Sequence, residues 1–308
     1  YIVVPCYNEE KTIVKVIKDA KEALPEATIY VYDNNSVDKT VELAQEAGAV
    51  VRYEYKQGKG NVVRRMFREI EAECYLMIDG DDTYPLNCAR EMVDNVLIRH
   101  ADMVVGDRLS STYFTENKRP FHNFGNSLVR ATINHLFKSN IKDIMTGYRA
   151  FSYEFVKTFP VFSSGFQIET EMTIHAVNYR MQVENVIVDY RDRPEGSVSK
   201  LNTYSDGIKV LFKIVQLFKT YRPMGFFGGI SFILLLIACI LMAPVLVEYF
   251  ATGLVPRFPT LIVSVCMGLG ALQCFFSGIL LSEMMWKDRR DFEYRVNCIS
   301  ARKDEHLK

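Results

Sequence analysis

Two long uncharged stretches near the end of the chain place the strongest constraint on its fold. Residues 224–247 form a run of 24 residues without a charged side chain, and residues 258–282 form a second such run. As an α-helix the first run would be about 36 Å long, whereas the hydrocarbon core of a bilayer is about 30 Å thick. We therefore predict two transmembrane helices joined by a short loop at 248–257.

Basic residues are concentrated outside the two runs, and the connecting loop has only Arg257. The flanking basic residues are Lys209, Lys213, Lys219, Arg222, Lys287, Arg289, Arg290 and Arg295. Because positive charge is retained on the cytoplasmic side of a membrane, both termini are predicted to be cytoplasmic. Residues 202–222 alternate apolar and lysine side chains, which predicts a basic amphipathic helix at the membrane surface. A helix that binds a partner protein would show a similar pattern.

The first 201 residues alternate short apolar runs with helical patterns. This rhythm predicts a mostly parallel, doubly wound α/β sheet. A dinucleotide-binding domain would need a G-x-G-x-x-G motif after its first strand, and that motif is absent. The predicted organisation is a catalytic domain at 1–201, a juxtamembrane helix at 202–222, a membrane segment at 223–283 and a cytoplasmic tail at 284–308. The strands are predicted at Tyr1–Val4, Thr28–Tyr32, Ala49–Tyr53, Cys74–Ile78, Ala101–Gly106 and, at the sheet edge, Met181–Tyr190.

Charge and cysteine content exclude several classes of function. The chain has 37 basic and 37 acidic residues, so its net charge gives no attraction to nucleic acid. Its seven cysteines are scattered and form no C-x-x-C pair, so neither a zinc site nor a disulfide framework is indicated. Reduced thiols are typical of a cytoplasmic domain.

Polar loops follow the first four predicted strands. Because the carboxyl ends of parallel strands meet at one edge of a sheet, we expect these loops to converge. Asp79 and Asp81 follow the strand Cys74–Ile78, and such a pair can hold a divalent cation whose other ligands are phosphate oxygens. The motif alone could equally be a turn, since Asp and Gly are common turn residues. Convergence of four polar loops favours a binding site.

The loop motifs resemble, in order and spacing, those of family-two glycosyltransferases of the GT-A fold. They are Pro5-Cys6-Tyr7-Asn8-Glu9-Glu10, Asp33-Asn34-Asn35-Ser36-Val37-Asp38, Gly58-Lys59-Gly60-Asn61 and Asp79-Gly80-Asp81. With the two apolar runs, the chain is most similar to the polyprenyl-phosphate sugar transferases. This group contains dolichol-phosphate mannosyltransferase and the GtrB-type undecaprenyl-phosphate glucosyltransferases.

The resemblance implies inverting transfer of a hexosyl unit from a nucleotide sugar, expected to be a UDP-sugar, to undecaprenyl phosphate. It implies Mg²⁺ or Mn²⁺ as cofactor, a location in the bacterial plasma membrane and, by likeness to GtrB-type enzymes, a tetramer. By the same resemblance, Asp79 and Asp81 would bind the metal and, with Asp143 and Glu169, form the catalytic set. The residues expected at the nucleotide sugar are Pro5, Tyr7, Asn8, Glu9, Asp33, Asn35, Lys59, Asp79, Gly80, Asp81, Arg193, Ser199 and Lys200.

The acceptor phosphate is expected at a second group of residues. By resemblance this group comprises Arg108, Arg119, Asn123 and Arg149, although basic residues there could also form a solvated surface. Asp143 is expected to orient the sugar or accept a residual proton. Thr83 lies where relatives often have Gln, so a third metal ligand at that position is in doubt.

Two helical residues have structural alternatives. Glu171 could serve the site or merely complement the dipole of a helix N-terminus. His175 is interpreted as structural.

Two rival functions remain open at this stage. A processive polysaccharide synthase with the same core would need a Q-x-x-R-W segment and more membrane helices, yet the only tryptophan is Trp286, after the second run. A non-catalytic membrane adaptor with this fold would not need Asp79, Asp81, Lys59 and Lys200, all of which are present.

Overall fold

A computed structural model describes residues 1–110, 131–135, 141–165, 167–191, 215–216 and 218–306. The chain divides into two compact units. The first comprises Tyr1–Asp206 together with Phe292–Lys308, and the second comprises Gly207–Asp291.

The described part of the first unit contains a seven-stranded sheet. Strands β1 to β4 pair in parallel, β6 is antiparallel to both β4 and β5, and β7 pairs in parallel with β5 at the edge. The order across the sheet is β3-β2-β1-β4-β6-β5-β7, which confirms the prediction of a mostly parallel α/β sheet. The strands are β1 Ile2–Cys6, β2 Ile29–Asp33, β3 Val50–Tyr53, β4 Cys74–Met77, β5 Met103–Asp107, β6 Arg149–Ser152 and β7 Val183–Ile187.

The helices of the first unit connect these strands. They are α1 Ile13–Ala23, α2 Thr40–Glu46, α3 Lys59–Glu69, α4 Ala89–Leu97, preceded by a 3₁₀ turn at Leu86–Cys88, then α5 Tyr153–Thr158 and α6 Ile168–Asn178. Alternate residues of each strand point to opposite faces of the sheet, so Ile2 and Val4 enter one apolar core while Val3 enters another. Burial on both faces explains why the central strands are continuous apolar runs.

Strand β6 was not predicted. Residues 143–149 read as a polar loop because Asp143, Thr146 and Arg149 interrupt any apolar pattern. The structure places Arg149 in the centre of the sheet, where its fully buried guanidinium donates hydrogen bonds to the carbonyls of Ile144 and Thr146 and to the hydroxyl of Thr173. These carbonyl and hydroxyl oxygens thus replace the water that an exposed arginine would bind.

The second unit contains two helices that are long and apolar enough to cross a membrane: α7, Pro223–Thr252, and most of α8, Phe258–His306. Both agree with the predicted spans. The structure differs from the prediction beyond Ser282, where the helix does not end but continues through the charged residues to His306. Of the predicted amphipathic helix at 202–222, only residues 215–216 and 218–222 are described.

His175 lies in an aromatic cluster within the first unit. Its ring packs edge-on against Phe155, Phe159 and Phe292 and is tilted against Tyr179. Its Nε2 atom has no hydrogen-bond partner among the described residues. Burial, together with a smaller effect of the charge of Arg295, lowers the pKa of His175 to about 3. The neutral ring is therefore part of the core, as predicted.

This burial makes stability depend on pH. An unfolded histidine has a pKa of about 6.5, so between pH 6.5 and pH 3 the unfolded chain binds a proton that the folded chain does not. His175 should stabilise the fold above pH 6.5 and lose that contribution as pH falls, by up to about 1.4 kcal/mol per pH unit. Denaturant titrations of the detergent-solubilised protein at pH 7, 5.5 and 4 should show the free energy of unfolding falling more steeply for wild type than for His175→Phe. Parallel pH profiles would contradict this assignment.

Candidate active site

The loops that follow β1 and β2 are joined to each other by hydrogen bonds. The amide of Asn8 donates to Oγ of Ser36 (2.9 Å), the amide of Val37 donates to Oδ1 of Asn8 (2.9 Å), and the amide of Glu9 donates to Oγ1 of Thr40 (2.8 Å). Asn8 has a left-handed backbone, with φ of 55°, which Asn tolerates better than most residues. Side chains of the two loops thus fix the conformation of both.

The loop between β3 and α3 is attached to the end of β2 by Asn34. Its Nδ2 donates to the carbonyls of Glu54 (2.7 Å) and Lys56 (2.9 Å), and its Oδ1 accepts the amide of Gly58 (2.7 Å). Asn35, whose φ is 64°, donates from Nδ2 to the carbonyl of Tyr55. Asn34 belongs to the predicted loop motif but was assigned no role there; it is nearly fully buried and bonds to three backbone groups of the loop.

The predicted carboxylates converge around the end of β1. Burial raises the pKa of the Cys6 thiol, and nearby negative charges raise it further; these belong to Glu9, Asp33, Asp79 and Asp81. Asp33 accepts the amide of Ser36 through both oxygens. Pro5 lies in β1 and, like Tyr7, is partly exposed. The structure therefore brings together the four strand-end loops, as their order in the sheet predicts.

The Asp79-Gly80-Asp81 loop packs closely against β1 at Gly80. A Cβ atom at Gly80 would lie 2.7 Å from Sγ of Cys6, so only glycine fits against β1. The hydroxyl of Thr12 donates to the carbonyl of Gly80 (2.6 Å). The hydroxyl of Thr83 donates to Oδ1 of Asp81 (2.6 Å), so Thr83 orients this carboxylate. Thr12 is a further contributor that no periodic pattern in the sequence indicates.

Lys59 lies between two carboxylates from different elements. Its Nζ is 2.5 Å from Oδ1 of Asp79 and 2.7 Å from Oε1 of Glu169, and only 9% of its side chain is exposed. Burial alone would lower the pKa of Lys59, but attraction and hydrogen bonds from Asp79 and Glu169 outweigh it and raise the pKa above its ordinary value. The lysine is therefore a fixed positive charge that neutralises part of a dense acidic site.

Gly147 approaches the opposite side of Asp79. A Cβ atom at Gly147 would overlap the Asp79 carboxylate, so a glycine at 147 leaves the space that this carboxylate occupies. Asp79 is thus confined between the ammonium group of Lys59 and the backbone of Gly147. The sequence analysis did not identify Gly147.

Asp79 and Asp81 could supply ligands to a divalent cation. Their hard carboxylate oxygens match the preference of Mg²⁺ and Mn²⁺. Among the described residues there is no group of three or more His, Cys, Asp or Glu side chains placed to hold a metal. The donor set therefore fits a cation that takes its remaining ligands from a bound phosphate and from water.

Arg108 forms a second polar cluster. Its Nε donates to Oδ2 of Asp143 (2.7 Å), its Nη1 to the hydroxyl of Tyr84 (3.3 Å) and its Nη2 to the carbonyl of Met145 (3.3 Å). The guanidinium also lies 5.7 Å from the ring centre of Tyr190. The pKa of Tyr84 is raised to about 12, mainly by burial; the charge of Arg108 opposes this rise, and the charges of Asp79 and Asp143 add to it. The unpredicted Tyr84 thus lies beside both clusters.

Two predicted roles do not agree with the structure. Asp143 is fully buried, and its carboxylate is occupied by Arg108 and by the amide of Met145, so it orients Arg108 rather than accepting a proton from a substrate. Arg149 is fully buried and bonded to backbone carbonyls of its own segment, so it does not reach an acceptor phosphate. The predicted residues Arg119, Asn123, Arg193, Ser199 and Lys200 lie outside the described part of the chain.

Lys59, Asp79 and Glu169 form an ion triplet that should have a measurable effect on stability. Removing one partner of a buried ion pair costs about 3 kcal/mol, because the other charge stays buried without compensation. Lys59→Met should therefore lower the free energy of unfolding by about that amount at pH 7, and adding Glu169→Gln should recover part of it.

Lys15→Met is the matched control. Lys15 pairs with Asp82 at the surface, with half of its side chain exposed, so its loss should cost less than about 1 kcal/mol. Equal losses in Lys59→Met and Lys15→Met, measured by denaturant titration, would show that the triplet is not a stabilising element.

Comparison with known proteins agrees with this architecture. The sequence profile of glycosyl transferase family 2 matches residues 1–159. The glycosyltransferase AglJ of Haloferax volcanii is 34% identical over 232 residues, which cover 75% of this chain and 76% of AglJ. A dolichyl-phosphate hexose transferase of the same organism is 26% identical over 215 residues, covering 70% and 92% of the two chains.

Solved structures show the same fold. Glucosyl-3-phosphoglycerate synthase from Mycobacterium tuberculosis, in complex with Mn²⁺, UDP and phosphoglyceric acid, superposes with a TM-score of 0.55 at 20% identity. The match covers 71% of this chain and 76% of the synthase. With the profile match over half of the chain and the likeness to AglJ, the chain belongs to glycosyl transferase family 2 and is a glycosyltransferase of the GT-A fold.

Proposed function

We propose that the protein transfers a hexosyl unit from a UDP-sugar to undecaprenyl phosphate, with inversion at the anomeric carbon. The observation that carries this proposal is the pair of carboxylates Asp79 and Asp81 at the open sheet edge, in a chain that also has two helices able to cross a membrane. The carboxylate pair suits a metal-bound sugar diphosphate, and the two helices suit a substrate that lies in a membrane. The name of the dolichyl-phosphate hexose transferase supports a polyprenyl-phosphate acceptor.

In this proposal the donor binds along the loops after β1, β2 and β4. Asp33 and the loop containing Asn8 would contact the nucleoside, and Asp79 and Asp81 would hold Mg²⁺ or Mn²⁺ against the diphosphate. The Mn²⁺ and UDP in the structure of the mycobacterial synthase support this placement. A bound divalent cation supplies Lewis acidity that neutralises charge developing on the leaving diphosphate. Lys59 would fix the Asp79 carboxylate and add a positive charge of its own.

The acceptor phosphate would be oriented by Arg108. Its guanidinium is held by Asp143, Tyr84 and Met145 before any substrate arrives, which reduces the entropy lost on binding. A phosphate oxygen of the acceptor attacks the anomeric carbon. The carbon–oxygen bond to the diphosphate breaks, and its electron pair leaves with the nucleotide diphosphate.

No general base is required in this reaction. The second pKa of a phosphate monoester is about 6, so at neutral pH the attacking oxygen is already largely an anion. Complete burial of Asp143 agrees with a mechanism in which positioning, rather than proton removal, is the contribution of the protein. The catalytic domain and both termini are proposed to lie on the cytoplasmic side of a bacterial plasma membrane.

Substitution of Asp79, Asp81 and the neighbouring Asp82 tests whether the first two residues bind the metal. Asp79→Asn and Asp81→Asn should each reduce transfer of radiolabelled sugar to undecaprenyl phosphate by at least about 100-fold, because each removes a charge that stabilises the departing diphosphate. Asp82→Asn is the matched control. Asp82 has φ of 56°, which Asn tolerates, and pairs with Lys15 and Arg191.

Asp82→Asn should keep transfer within about fivefold of wild type, since a surface ion pair contributes at most about 1 kcal/mol. Retained Mn²⁺-stimulated transfer in both Asp79→Asn and Asp81→Asn would overturn the assignment of these two residues as metal ligands.

Substitution of Arg108 tests its proposed contact with the acceptor phosphate. Arg108→Ala should raise the KM for undecaprenyl phosphate by about tenfold or more, because a guanidinium–phosphate contact is charge-assisted, while UDP affinity measured by calorimetry with Mn²⁺ stays unchanged. Asp143→Asn should produce a smaller change of the same kind, and Arg90→Ala, which breaks a surface pair with Glu26, should produce none.

Undecaprenol should not be a substrate of the wild-type enzyme, because a neutral alcohol would need a base. Efficient glycosylation of undecaprenol would contradict the base-free mechanism. Loss of UDP binding in Arg108→Ala would instead place this residue in the donor site.

A further inference from the structure

The N-terminus of α3 rests directly on the loop that precedes α6. The amide of Gly60 donates to the carbonyl of Ser164 (3.0 Å). A Cβ atom at Gly58 would overlap the carbonyl oxygen of Ser164, and one at Gly60 would overlap that of Ser163. The two glycines on either side of Lys59 are thus explained by close backbone contact.

The carboxylate of Glu171 holds this loop from the side of α6. Its Oε1 accepts the amide of Phe162 (3.0 Å), and its Oε2 accepts the amide of Ser163 (2.9 Å). Two hydrogen bonds from consecutive amides to one ionised carboxylate are stronger than bonds between neutral groups. They hold the peptide groups 161–162 and 162–163, which directly precede the carbonyls of Ser163 and Ser164 against which Gly60 and Gly58 pack.

Arg64 holds the same loop from the side of α3. Its Nε (3.1 Å) and Nη2 (2.9 Å) both donate to the carbonyl of Val161. The loop is therefore hydrogen-bonded to one acidic residue of α6, Glu171, and to one basic residue of α3, Arg64. Both helices contribute to the ion triplet at their first turns, through Lys59 in α3 and Glu169 in α6.

Resting on the function proposed above, we propose that Glu171 is a positioning residue that places Lys59 against Asp79. Glu171 acts through the backbone of residues 162–164 and the Gly58–Gly60 segment. A mere complement to the helix dipole would not need two directed hydrogen bonds to a separate loop. Glu171 thus sets the geometry of the donor diphosphate site.

The first measurement needs no substrate. Hydrogen exchange, followed by mass spectrometry on the full-length protein in detergent, should show faster exchange at the amides of residues 161–165 and of Gly60 in Glu171→Ala. Glu171→Gln, which keeps one carbonyl acceptor, should show an intermediate change. Glu91→Gln is the matched control, because Glu91 is an exposed acid in the first turn of α4. It should leave these amides unchanged.

The second measurement is kinetic. Glu171→Ala should lower kcat/KM for the UDP-sugar by about 10- to 100-fold, the range expected when a catalytic group is slightly misplaced, with the KM for undecaprenyl phosphate unchanged. In a Lys59→Ala background the same substitution should cause no further loss, since two residues that act through one contact are not additive. Glu171→Gln should recover part of the rate.

The outcomes separate this proposal from the proposed function. Unchanged exchange in Glu171→Ala, or a full additional loss of activity in the Lys59→Ala background, would overturn the positioning role. If wild type transfers sugar from no UDP-sugar, the proposed donor is wrong, and the exchange measurement alone then decides whether Glu171 holds the loop.

Discussion

The site depends on one buried cation shared by two carboxylates. Lys59 begins α3, Asp79 follows β4 and Glu169 lies in the first turn of α6, so a single ammonium group joins three elements that are distant in sequence. Two unit charges 4 Å apart attract each other by about 4 kcal/mol at an effective dielectric constant of 20. Lys59 and Glu169 are nearly fully buried, so neither charge would be compensated without the other. Their mutual dependence fixes where β4 ends relative to both helices and therefore where its aspartates lie.

The segment from Asp143 to Arg149 connects this triplet to the polar cluster around Arg108. Its first residue orients Arg108, and its Gly147 confines the Asp79 carboxylate. Arg149 anchors the segment in the core by donating to the carbonyls of Ile144 and Thr146. A buried arginine can thus align the two groups of side chains that are proposed to bind donor and acceptor.

The sequence predicted those parts of the site that depend on local pattern. Apolar runs that end at acidic loops located β1 to β4, and the parallel arrangement of these strands then required Asp33, Lys59 and Asp79 to converge. Strand β6 was missed because it is short and begins at Arg149, so that the polar residues of and before it conceal its apolar part. The pairing of Asp143 with Arg108 spans 35 positions, so burial of the acid could not be read from its neighbours. Thr12, Asn34, Tyr84 and Gly147 act through backbone atoms or tight packing, which leave no periodic signal.

A crystal or cryo-electron microscopy structure of the protein with Mn²⁺ and UDP would show directly whether Asp79 and Asp81 hold the metal. We expect one Mn²⁺ ion bound to the carboxylates of Asp79 and Asp81 and to diphosphate oxygens, with Lys59 still in contact with Glu169 beside it. A UDP diphosphate bound away from the β4 loop, or a metal held by side chains other than these two, would contradict the proposed donor site.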